Sequence, residues 1–181
     1  VGELPDRDIV LRDVTEDDLA IFFDHQQDPD ANWMAAFSAE DPADQAAFAA
    51  KWARILTDGT GSAKTIVCGG RVAGNLLCFI APWSGRREVS YWIGRDYWGR
   101  GIATAALAAF VRGMAERPLY ARAASDNLAS IRVLEKCGFV RIGRDMGFAN
   151  ARGTDIEEVV LELRASDSGG ASTPNYGNPS A

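Results

Sequence analysis

The sequence predicts a mixed α/β (α+β) domain: a single mixed sheet of six to seven strands with helices on both faces. Three observations predict it. Strand-like and helix-like stretches follow one another as strand, two helices, an antiparallel run of strands, then strand, helix, strand, helix, strand, strand. Two apolar runs, 65–68 and 72–80, are joined by Gly69-Gly70, a short-hairpin signal. An Ala-rich apolar stretch from Ile102 joins the strand ending at Ile93 to the one starting at Leu119, and such a crossover sets its two strands parallel.

Each element has a local reason. Residues 9–11 (IVL) form a short strand. Thr15 then caps a helix through TEDD, with Asp18 three residues on in the manner of a capping box and Leu19, Phe22 and Phe23 on one face. The segment DPDANWMAAF (28–37) is irregularly spaced and reads as a loop with a short helical piece. Asp41-Pro42 opens the second helix, whose apolar face is Phe48, Trp52, Ile55 and Leu56; TDGTG (57–61) ends it. After the hairpin, residues 88–93 make a third strand. The apolar helix runs from Ile102 to about Glu116, followed by Pro118 and a strand over 119–123. A short helix over 128–136 carries Lys136 in its last turn and Gly138 at the left-handed cap position. Residues 140–142 and 156–163 close the sheet. Residues 1–165 read as one domain, and 166–181, rich in Ser, Gly, Pro and Asn, read as a tail.

Composition narrows the function. A chain of 181 residues, 47% of them apolar, suits one domain with a sizeable core. The formal charge of −6 argues against a nucleic-acid partner and fits cationic small molecules or basic peptide ends. Three cysteines (Cys68, Cys78, Cys137) without a CxxC pair read as buried free thiols in a reducing compartment. A lone histidine, His25, argues against a His-built zinc site or a Ser-His-Asp triad, so no metal is expected. No apolar run approaches the ~20 residues of a membrane span, and the first residues lack signal-peptide character, so the expected location is cytoplasmic.

The stretch RDYWGRGIATAAL (95–107) sets two glycines and an arginine directly before the apolar helix. A helix N-terminus leaves its first N–H groups without partners and carries partial positive charge, and glycines let a phosphate come close. WGRGIAT therefore has the local logic of a pyrophosphate cradle, with a plain tight turn as the alternative. It is neither a Walker loop nor a full GxGxxG fingerprint.

A second stretch, SDNLASIRVLEKCGF (125–139), follows the next strand. Together the two resemble the GNAT superfamily of acyl-CoA-dependent N-acetyltransferases. In that family a Gln or Arg, two residues, then GxG or GxA opens the helix that holds the pyrophosphate of coenzyme A. Here Asp96 stands at the Gln/Arg position. Asn127, Ser130, Leu134, Gly138 and Phe139 match the second motif, except that Glu135 stands where many relatives have a tyrosine. EVSYWIG leading into YWGRGIAT resembles the branch that includes ribosomal-protein N-terminal acetyltransferases. The resemblance covers roughly residues 9–163.

The resemblance implies acetyl-CoA as cosubstrate, no metal, and two neighbouring parallel strands splayed apart at the acyl-CoA site. The pantetheine arm would pair with the backbone of Tyr91, Trp92 and Ile93. The pyrophosphate would lie on Gly99, Arg100, Gly101, Ile102, Ala103 and Thr104. Asn127 would bond coenzyme A, cap its helix, or both. Glu88 is the first candidate for the base that helps deprotonate the amine; the alternative is a strand-end pair with Arg86 or Arg87. Ser130 is the candidate hydroxyl at the departing sulfur, against a serine that bonds local backbone. Trp33, Met34 and Phe37 are candidates to line the acceptor pocket, with core burial as the alternative. Trp92 and Trp98 pack on the ligand or fill core, Cys137 belongs to the core, and His25 reads as a surface or capping residue. The implied activity is acetyl transfer to a primary amine, of a peptide N-terminus or a small molecule, by direct attack. The alternatives are a non-catalytic acyl-CoA sensor or transfer of a longer acyl group such as succinyl. Monomer and homodimer both stay open.

Overall fold

The computed structural model describes residues 8–165; the segment 166–181, read above as a tail, lies outside the described residues. Seven strands form one sheet: β1 (Ile9–Asp13), β2 (Ser62–Cys68), β3 (Arg71–Ile80), β4 (Arg87–Ile93), β5 (Leu119–Ala124), β6 (Val140–Ala149) and β7 (Thr154–Leu163). Their order across the sheet is β1-β2-β3-β4-β5-β7-β6. All neighbours are antiparallel except β4 and β5, the pair expected to be parallel. Five helices cover it: α1 (Glu16–Gln26), α2 (Pro29–Ala35), α3 (Gln45–Thr57), α4 (Ile102–Arg112) and α5 (Leu128–Lys136).

Strand alternation builds a core on each face. On one face Leu76, Val89, Ile93, Ala121, Ala123 and Leu161 meet Ile102, Leu107, Phe110, Ile131 and Leu134 of α4 and α5. On the other, Leu77, Val72 and Ala63 meet Phe22, Phe48 and Trp52 of α1 and α3. This explains why β3 reads as a nearly unbroken apolar run: both its faces are covered. No helix among the described residues is long and apolar enough to cross a membrane. Cys68 and Cys78 are buried free thiols, as expected.

Several boundaries differ from the sequence expectation. The second helix starts at Gln45, because Asp44 rather than Asp41 caps it, its carboxylate accepting from the Ala47 N–H at 2.9 Å. Pro42 lies outside that helix, and its carbonyl accepts from Gln26 Nε2. The irregular 28–37 segment contains a seven-residue helix, α2, capped by Asp28, whose carboxylate accepts from the Ala31 N–H. The Ala-rich helix stops at Arg112 rather than near Glu116, and the Arg117 guanidinium donates to the carbonyls of Val111 and Met114 at its end. The closing strand at Val140 continues to Ala149, paired along β7.

The predicted capping role of Asp18 is part of a larger anchor. Asp18 accepts the Thr15 N–H at 2.8 Å, both terminal nitrogens of Arg12 at 2.6 and 2.7 Å, and the Thr65 hydroxyl at 2.7 Å, and it is buried. These donors hold its carboxyl well below the usual carboxylate range, Arg12 contributing most. Asp18→Asn is expected to destabilise the fold by about 3 kcal/mol, the lower range for leaving one partner of such a pair uncompensated. Denaturant unfolding at neutral pH measures it. Because the folded carboxyl titrates below its unfolded value, its contribution is present above pH ~4 and is lost as pH falls further. The gap between wild type and variant should therefore close in acid.

Candidate active site

β4 and β5 share a single register pair, Glu88 with Tyr120, at the start of β4; beyond it the strands part. The Gly94 N–H bonds to the Ala73 carbonyl on β3 at 2.9 Å. Antiparallel alternation therefore turns the amides of even-numbered β4 residues toward β3, and those of Tyr91 and Ile93 toward the parted side. Two of the three backbone positions expected to meet a ligand are thus on the open edge. Trp92 is not: its backbone faces β3, and its indole N–H donates to the His25 carbonyl at 3.3 Å on the far face. The Ile93 carbonyl is already taken by the indole N–H of Trp98 at 2.8 Å, which leaves the Ile93 N–H and both groups of Tyr91.

The chain leaves β4 through a 3-10 turn (Arg95–Tyr97) and enters α4 through the glycine loop. Gly99 and Gly101 both take positive φ, 73° and 75°, a region closed to most side chains. A Cβ built on either meets no protein atom within 4 Å, so the loop opens onto empty space. Gly101 caps α4 and no side chain covers it; the first intrahelical bond is the Ala105 N–H to the Gly101 carbonyl. Among the described residues the N–H groups of Ile102, Ala103 and Thr104 find no acceptor. Arg100 is exposed beside them, 6.0 Å from the Tyr97 ring centroid. Three aligned amides, a helix dipole and a guanidinium around open space form an anion cradle. The Cys137 thiol lies against the Thr104 carbonyl at 3.4 Å, its pKa raised by burial, as befits a core residue rather than a nucleophile.

Asn127 caps α5, its carbonyl oxygen accepting from the Ser130 N–H at 3.1 Å, and its amide donates to the Met34 carbonyl at 2.9 Å. It ties the start of α5 to the end of α2. Ser130 faces the parted strands, its hydroxyl 2.9 Å from that of Tyr91. Burial pushes the Tyr91 phenol up to about 12, so it stays protonated at neutral pH. Glu88 stands three positions before Tyr91, an odd offset, and therefore projects from the opposite face of the sheet.

Glu88 is 4% exposed and pairs with neither Arg86 nor Arg87. Its Oε1 accepts from Trp83 Nε1 and Arg122 Nε, each at 3.3 Å, and from the Ser84 hydroxyl at 3.2 Å. Among the described residues its Oε2 has no partner. Arg122 also donates to Glu158 at 2.6 Å and Asp145 at 2.9 Å. Sequence reasoning missed Arg122; the available signal was one arginine inside LYARAA, since a cation in an otherwise small, apolar strand needs an acid close by.

The three acceptor-pocket candidates lie on the Glu88 face. Trp33 is 55% exposed and Phe37 is 37% exposed. Met34, between them, is half-buried. Arg152, in the turn between β6 and β7, donates to the Trp33 carbonyl at 3.0 Å and holds Asp126 by two bonds. The Phe37 ring covers Gly147 of β6 so closely that a Cβ there would stand 2.9 Å from it. His25 packs against Gly94, and burial lowers its pKa; it is a packing residue at the end of α1.

A sheet parted between two parallel strands, with unpartnered amides at the head of the following helix, leaves room for an extended ligand with an anionic end. The family model for the GNAT acetyltransferase domain matches residues 8–140, and the chain belongs to that family. Solved structures share the fold. The spermidine N-acetyltransferase from Vibrio cholerae in complex with CoA and spermine has a TM-score of 0.69 at 16% identity, covering 86% of this chain and 95% of that one. Microcin C7 self-immunity acetyltransferase MccE, in complex with acetyl-CoA and AMP, has 0.72 at 16% identity, covering 88% and 93%. The ribosomal-protein-alanine N-acetyltransferase from Brucella melitensis has 0.73 at 21% identity, covering 86% and 99%. No curated protein sequence matches the chain. The protein is thus an acetyl-CoA-dependent N-acetyltransferase. The cradle fits this cosubstrate, because its glycines and unpartnered amides border the space that a diphosphate would fill.

Proposed function

We propose that the protein acetylates a primary amine, of a small molecule or a peptide N-terminus, by direct attack across the gap between β4 and β5. One observation carries this: the gap has a carboxylate with a free oxygen on one face, Glu88, and a hydroxyl pair on the other, Ser130 with Tyr91. Acetyl-CoA supplies the thioester whose C–S bond breaks as the C–N bond to the acceptor forms. An amine reaches the site mostly protonated if it resembles lysine, with a pKa of ~10.4, and partly neutral if it is an α-amino group near ~8. Glu88 Oε2 takes the amine's proton, directly or through an ordered water. The Tyr91 and Ile93 N–H groups on the open edge of β4 hold the pantetheine arm, and the amides of Ile102, Ala103 and Thr104, with Arg100, hold the diphosphate. The nitrogen's second proton passes to the departing sulfur, to which Ser130 donates a hydrogen bond, and the Tyr91 phenol, kept protonated by burial, backs Ser130. The hydroxyl pair thereby takes the place of the tyrosine that Glu135 replaces.

Thiol release from acetyl-CoA over a panel of primary amines tests the proposal. Release with at least one amine is expected, and Ser130→Ala should lower kcat about tenfold, since a thiol leaving group near pKa ~8.5 needs modest help. Tyr91→Phe should cost less. Cofactor binding without release on the whole panel would instead favour an acyl-CoA sensor.

A further inference from the structure

A cleft of about 470 Å³ opens on the Glu88 face of the sheet. Ser84 and Arg86 of the connection between β3 and β4, Arg122 of β5, and Gly143, Arg144 and Asp145 of β6 line it. Gly143 makes a bare floor, since a Cβ there meets nothing within 4 Å. Two of these residues, Ser84 and Arg122, also bond Glu88 Oε1, so the cleft leads to the carboxylate that receives the amine's proton.

The two guanidinium groups that the cleft has on the Glu88 face, Arg122 and Arg86, are not equivalent. Arg122 is surrounded by Glu88, Asp145 and Glu158. By strand alternation Arg144 shares the Val159 face, opposite Glu88, and pairs there with Glu157 at 2.9 Å. Arg86 has no carboxylate partner among the described residues; its guanidinium lies over the Tyr120 ring, 4.6 Å from the centroid. Tyr120 is the residue opposite Glu88 in the register, so the stacked cation stands next to the point where the strands part. A guanidinium held on an aromatic ring keeps its N–H groups for a planar anion.

We infer that the acceptor carries an anionic group, a carboxylate or a phosphate monoester, a few bonds from its amine, and that Arg86 recognises it. The amine lies toward the carboxylates around Arg122, and the anion toward Arg86. A polycation would set its second charge against Arg86. The inference rests on the proposal that the amine arrives on the Glu88 face.

Two measurements test it separately. The first is NMR of the arginine Nε–H signals of the coenzyme A-bound protein, titrated with β-alanine, O-phosphoethanolamine, β-alaninamide and ethanolamine. The Arg86 signal, assigned by its loss in Arg86→Gln, is expected to move with the two anionic probes and not with the neutral pair. The larger response of one anion tells carboxylate from phosphate. The second is thiol release: Arg86→Gln should raise KM for the anionic amine about tenfold or more, with kcat and the KM of its neutral analogue unchanged. No movement with either anion overturns the inference whatever the turnover. So does an equal rise of KM for charged and neutral amines. Movement of the signal without thiol release from any amine would keep the anion site and sink the transfer step.

Discussion

Gly101→Val is expected to weaken acetyl-CoA binding about a hundredfold or more, the loss of one to two charge-assisted hydrogen bonds in the cradle. Two effects act together. The new side chain enters the open space that the loop now borders, beside the unpartnered amides of Ile102, Ala103 and Thr104 proposed to hold the diphosphate. A β-branched residue at φ 75° also strains the backbone by about 1–2 kcal/mol and tilts the first turn of α4. Gly70 supplies the control, because it has the same φ of 75° and the same empty surroundings but lies in the hairpin between β2 and β3. Gly70→Val should lose similar stability and keep its affinity in calorimetry. Equal affinity in the two variants would mean that the glycine loop is a turn and nothing more.

Much of the fold was legible because its signals are local. Gly69-Gly70 marks the hairpin at the two residues that take positive φ there, and Gly138 takes the left-handed position after α5. The glycine loop was legible for the same reason: its geometry depends on residues adjacent in the chain. The misread helix start had two acids, Asp41 and Asp44, each able to cap, and only packing chose between them. The length of β6 is not legible past Ile142, because an edge strand exposed along most of its length has no apolar alternation to read. The place of Trp92 is not legible, because sequence gives the alternation of a strand but not its phase, which is set by the register with β3. The partner of Glu88 was illegible for a stronger reason. Arg122 is 34 residues away, and only the crossover through α4 brings it beside Glu88.

Glu88→Gln should lower kcat/KM about a hundredfold without changing acetyl-CoA affinity, in the range expected for losing a positioned base. The substitution keeps shape and an oxygen that can accept from Trp83 and Ser84, and it leaves Arg122 with Asp145 and Glu158. A lower rate alone would not separate a base from an anchor of Arg122, so the pH dependence decides. If Glu88 takes the proton, the variant depends on the fraction of amine already neutral in solution. That fraction grows about tenfold per pH unit below the amine's pKa, ~8 for an α-amino group and ~10.4 for a lysine-like one. The deficit should therefore shrink as pH approaches that value, and shrink at higher pH for the lysine-like acceptor. An anchor role predicts a deficit independent of both pH and acceptor, together with a lower midpoint of unfolding. A constant deficit would remove Glu88 from the chemistry and, with it, the argument that the amine enters through the arginine-lined cleft.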